Sequence, residues 1–120
     1  MTKSQKKKPT RKPKYFYLGE RRIVHLRLPK AIKDGMHLRA LQADIKKQEV
    51  WDEACKWFLE HPLPKGSRAY EHPLSREPYA TMWIAGLLVE QLQKVATRDD
   101  VSLARVIHTA ATHYLSQTKK

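Results

Sequence analysis

Between Val24 and Leu28 apolar residues alternate with polar ones, which puts Val24, Leu26 and Leu28 on one side of an extended segment and Ile23, His25 and Arg27 on the other. A period of two predicts a strand over residues 23–28, stopped by Pro29, which has no N–H to give a ladder. Past Lys30 the period becomes helical: Ile32, Met36 and Ala40 mark one helix, and Ile45, Val50, Ala54, Phe58 and Leu59 a second that ends at His61-Pro62. Residues 61–78 hold four prolines and a glycine, which exclude both helix and central strand and predict a linker. The sequence strand, helix, helix then recurs. Ala80, Met82 and Ile84 alternate with Tyr79, Thr81 and Trp83, helical spacing follows through Leu88, Leu92 and Ala96, and a last helix carries Val106, Ala110, Tyr114 and Leu115 behind Ser102, a good N-cap residue.

The two halves match without a gap at an offset of 56 residues: Leu28 with Ile84, Met36 with Leu92, Asp44 with Asp100, Ala54 with Ala110, Leu59 with Leu115. A unit of one short strand and two helices leaves its strand unpaired and the apolar strand face uncovered. Two copies remove both defects. The expected fold is α+β and mostly helical, a two-stranded antiparallel ribbon over four helices in one pseudo-dimeric domain. Its parts are a disordered basic arm at residues 1–20, a first unit at 21–61, a Pro-rich linker at 62–76 and a second unit at 77–117.

Composition narrows the function. At 120 residues the chain is too short for a multi-domain enzyme with a deep cofactor cleft. Its longest apolar run, residues 82–89, is far below the ~20 residues of a membrane span. One cysteine, Cys55, cannot form an internal disulfide, and no apolar signal segment follows Met1, so a cytoplasmic protein is expected. The formal charge of +12 divides into +7 on residues 1–14 and +5 on the rest. That arm, with Lys6, Lys7, Lys8, Arg11 and Lys12 and no acid, is expected to lie along a polyanion, most simply the phosphates of nucleic acid. The alternative reading is a tail that serves only solubility.

The segments VHLRLP at 24–29 and DVSLARVIHTAATHYL at 100–115 resemble the strand and second helix of ribbon-helix-helix DNA-binding proteins, the family of Arc repressor. The resemblance covers residues 21–61 and 77–117. Most members are dimers of one-unit chains, and the tandem layout here is similar to the single-chain kind among conjugative nick-site accessory proteins and Ti-plasmid border accessory proteins. It implies a monomeric pseudo-dimer that binds double-stranded DNA, with a relaxase or other transfer protein as partner, or a local transcriptional repressor. It also implies that the ribbon enters the major groove, where outward side chains read bases while the amino ends of the second helices hold phosphates.

Carried over by position, the base-reading set is Ile23, His25 and Arg27 with Tyr79, Thr81 and Trp83. Arg27 leads it, because a guanidinium bonds guanine bidentately, a contact worth ~1–3 kcal/mol of discrimination. The bland alternative is a solvated strand arginine. Trp83 stands where the family has a polar residue: it packs either on a thymine methyl or sugar, or, after a one-residue slip, in the core. The phosphate set is Ser102 at the last helix and, at the equivalent place in the first unit, Lys46 and Lys47. Ser102 could equally be a plain helix cap. His61, His72, His108 and His113 match no metal spacing and are expected at the surface, whereas Cys55, Trp51, Trp57 and Phe58 are expected in the core. No phosphate loop or acid/base pair is present, so no enzyme, cofactor or metal is expected. Two other functions compete: an antitoxin-type interaction module, which the chain's short stretch after Leu115 disfavours, and a sequence-nonspecific RNA-binding protein driven by the arm.

Overall fold

Proline stops both alternating segments on one side, and each finds a ladder partner in the other. In the computed structural model, which describes residues 19–72 and 76–118, β1 (Arg21–Arg27) pairs antiparallel with β2 (Tyr79–Ala85) in a two-stranded sheet. Between and after them come α1 (Lys30–Ala43), α2 (Lys47–Glu60), α3 (Gly86–Asp99) and α4 (Leu103–Thr118). The domain is thus small, α+β and mostly helical.

Val24, Leu26 and Leu28 and, from β2, Met82 and Ile84 are buried beneath the ribbon, with Ala80 partly so. The helices present Met36, Ala40, Val50, Phe58, Leu92, Val106 and Ala110 to them. Burying a side chain the size of Leu or Phe contributes about 1.5–3 kcal/mol, and this single core unites all six elements. Where α1 meets α4 the Leu115 side chain packs onto the α1 backbone: a Cβ on Gly35 would lie 2.8 Å from Leu115 Cδ1.

The offset of 56 reappears in the backbone. The helices α1 and α3 begin and end 56 residues apart, and each is closed by an aspartate in the left-handed region, Asp44 at φ 55° and Asp100 at φ 56°. Short polar side chains tolerate that conformation. The residue after each aspartate donates its N–H back to the helix, Ile45 to Ala40 O at 3.1 Å and Val101 to Ala96 O at 3.0 Å, so orphan carbonyls are satisfied identically in both halves.

Several expectations are corrected. The first strand begins at Arg21, two residues early, and β2 runs on to Ala85, because Arg21 opposes Ala85 in the ladder. His108 is not a surface residue but only 6% exposed, and His113 is half-buried against the Phe58 ring, since both fall on the inner side of α4. Trp57 is half-buried, stacked on His61 at the outer end of α2. The described part of the proline-rich linker is docked on the helices. Tyr70 is buried against Phe58 and its hydroxyl bonds Asp99, whose other oxygen accepts the Gly66 N–H at 3.0 Å. Glu71 donates its N–H to Thr109 Oγ1 at 2.8 Å and accepts Arg105 Nε at 2.8 Å.

Candidate nucleic-acid interface

Alternation along both strands leaves one ribbon face toward solvent, and the register fixes which side chains meet there: Ile23 opposite Trp83, His25 opposite Thr81, Arg27 opposite Tyr79. These are the six residues singled out for base reading, and all lie on this face. Ile23 and Trp83 are each 48% exposed and Tyr79 64%, so the indole points outward and the alternative of a core tryptophan is removed. At the centre Thr81 Oγ1 and His25 Nδ1 lie 2.9 Å apart, in hydrogen-bond contact.

The two ends differ in chemistry. Arg27 is half-buried, its Nη1 donating to Glu77 O at 2.6 Å while the guanidinium carbon sits 4.2 Å above the Tyr79 ring. A cation over an aromatic face is favourable, and here it holds the arginine on the outward side. Among the described residues no carboxylate neutralises it. At the other end the cations are spent on acids. Arg21 grips Asp52 through Nη2 to Oδ2 at 2.6 Å and Nη1 to Oδ1 at 3.0 Å, and Arg22 pairs with Glu90 at 2.8 Å.

Asp52 was not foreseen. It is fully buried, and its Oδ1 also accepts the Ala85 N–H at 3.0 Å, which ties α2 to the end of β2. The signal in the sequence was a carboxylate among the apolar residues of a core-facing helix, Val50-Trp51-Asp52-Glu53-Ala54, where a buried charge demands a partner.

A cleft opens on each flank of the ribbon. One runs from His25, Arg27 and Tyr79 to Ser102, Arg105 and His108 at the start of α4. The other runs from Thr81 and Trp83 to Lys47, Gln48 and Trp51 at the start of α2. Each therefore ends at a helix amino terminus, where unpaired N–H groups and the helix dipole favour an anion. Ser102 caps its helix, Oγ accepting the Arg105 N–H at 3.2 Å. Lys46 and Lys47 are exposed at the start of α2, and the buried Glu49 accepts the Lys46 N–H at 3.2 Å. Burial holds His108 below the ordinary histidine range, opposed by Glu71 with Oε1 4.0 Å from its Nε2. Burial, aided by Asp52, pushes the Cys55 thiol well up, which keeps it a protonated packing group.

Lys6, Lys7, Lys8, Arg11 and Lys12 lie outside the described residues. Among the described residues no cluster of three or more His, Cys, Asp or Glu could hold a metal ion, and no helix is long and apolar enough to cross a membrane. No family model, curated protein or solved structure matches the chain.

Proposed function

We propose that this chain is a single-chain tandem ribbon-helix-helix protein that binds double-stranded DNA sequence-specifically, with its ribbon in the major groove. The observation that carries the reading is the placement of six outward side chains on one ribbon face between two clefts that end at helix amino termini. A major groove about 12 Å wide admits a two-stranded ribbon, and the clefts face where the bordering phosphate strands would run. The +12 charge supplies general attraction to that polyanion.

The tandem, pseudo-dimeric arrangement is supported by the shared offset of 56 in helix bounds and left-handed caps, and by the ribbon register, which opposes His25 to the residue 56 positions on. Because the halves carry different side chains at equivalent places, the preferred site is asymmetric, unlike a palindromic operator. Such a site suits an accessory factor at a plasmid transfer origin, with a relaxase as partner, or a local transcriptional repressor.

Selection of bound duplexes from a random pool at physiological salt tests the reading, with a mass measurement beside it. The expected result is a monomeric chain that enriches one non-palindromic sequence. No enrichment, or binding that an RNA homopolymer removes as easily as the best duplex does, sinks it.

A further inference from the structure

The two ends of the outward ribbon face differ in kind, and we propose that they read different base chemistry: the Ile23/Trp83 end takes thymine methyl groups, and the Arg27/Tyr79 end takes a guanine. This rests on the DNA reading above and gives the site a direction. Ile23 and Trp83 are cross-strand partners, each 48% exposed, so together they form an apolar patch toward one end of the outward face. Of the neighbouring arginines, Arg22 falls on the other side of the strand alternation and Arg21 is engaged by a buried acid. Arg21 is held by the buried Asp52, and Arg22 by Glu90.

An apolar surface that meets a major groove has one apolar feature to pack on, the thymine 5-methyl. A DNA occupant is argued by charge: Lys47 stands in the cleft beside Trp83, and the chain as a whole is strongly cationic, which suits a polyanion. At the opposite end Arg27 keeps its charge, and the Glu77 carbonyl and the Tyr79 ring fix its direction. Nη1 is committed to that carbonyl, which leaves Nη2 and the remaining N–H bonds for the O6 and N7 of guanine. Less side-chain entropy is then lost on binding than for a free arginine.

The test uses the full chain and the duplex it selects. Each thymine is replaced in turn by deoxyuridine, which deletes one methyl and no hydrogen-bonding atom, and each guanine by 7-deazaguanine, which deletes the N7 acceptor. A buried methyl is worth about 0.8 kcal/mol, or about fourfold in affinity. Uracil-sensitive positions of that size are expected to cluster on one side of the site's centre and deaza-sensitive guanines on the other. Trp83→Ala should erase the first pattern alone and Arg27→Ala the second alone. The uracil scan is read on the unaltered protein and does not depend on either variant folding. A flat scan across a duplex that the chain does select overturns this inference and leaves DNA binding standing, whereas failure to select any duplex overturns the DNA reading itself. A flat scan together with self-association that Trp83→Ala abolishes assigns the patch to protein docking and likewise overturns the inference.

Discussion

His25 and Thr81 oppose each other in the ribbon, share a hydrogen bond of 2.9 Å, and stand 56 residues apart, the same separation that relates the two halves of the chain. They are the one ladder pair whose members stand at that separation, and they lie at the centre of the three outward pairs. Both are exposed, and their bond contributes about 0–1 kcal/mol to stability at most. In the proposed reading of DNA their difference matters more. His25→Thr makes the centre symmetric: duplex selection with this variant should change the preference at the central base pairs, leave the outer positions as they were, and move the urea midpoint little.

Asp52 is the opposite case, a carboxylate whose value is structural. It is buried, holds Arg21 with both oxygens and accepts the Ala85 N–H. Removing one partner of a buried pair typically costs about 3–5 kcal/mol, since the survivors are left unsatisfied. Urea denaturation of Asp52→Ala should show a loss of that order. Glu90→Gln, which opens the exposed Arg22 pair, should stay within about 0.5 kcal/mol of the parent.

The contrast explains what could be read beforehand. The strand and helix periods and the 56-residue offset were legible because burial acts on every second or every third to fourth residue, and a core of Leu26, Met36, Phe58, Leu92 and Val106 repeats that demand in both halves. The outward six followed from the same alternation. Asp52 and Tyr70 were not legible, because each is specified by a partner distant in sequence, Arg21 and Asp99, and no local period encodes such a pairing. His108 misled for a related reason. A missing metal motif says nothing of burial: His108 falls on the inner side of α4 and meets Glu71, which arrives from the distant linker.

The linker's docking should respond to truncation. Tyr70 buries its ring against Phe58 and bonds Asp99. Tyr70→Phe keeps the ring and should cost about 1 kcal/mol, while Tyr70→Ala should cost about 3–5 kcal/mol, both read from urea curves. Burial and Asp99 push the Tyr70 hydroxyl up to about 12. An acid whose folded value is raised binds its proton more tightly in the fold, so this stability is fully present below pH ~10 and is lost as the pH rises through about 12. Tyr70→Phe should remove that alkaline loss.

His108 sets an acid limb. Burial lowers its folded value below the ordinary 6.5, so the unfolded chain takes up the proton first as the pH falls. Stability is therefore expected to be constant above about pH 7, to fall as the pH drops through the 6.5 of the unfolded histidine, and to level off below the lowered folded value. Glu71 opposes the shift, and His25, His72, Arg27 and Arg105 share the cleft it faces. Urea midpoints between pH 5 and 7.5 should lose this slope in His108→Gln, with any slope that persists belonging to other groups.

The arm and the ribbon should separate by their response to salt. Residues 2–14 carry seven lysines and arginines and no acid, whereas the six outward ribbon residues include a single arginine, Arg27, and no lysine. Each phosphate neutralised contributes about 0.9 to the slope of log affinity against log salt, independent of base sequence. Deleting residues 2–14 should therefore lower affinity for every duplex by a similar factor and reduce the slope by several units, while the selected sequence stays the same. Titrations at several salt concentrations, on the preferred duplex and a scrambled one, decide it. A deletion that altered the preferred sequence would place part of the reading in the arm; one that left the salt slope unchanged would remove the arm from the DNA contact.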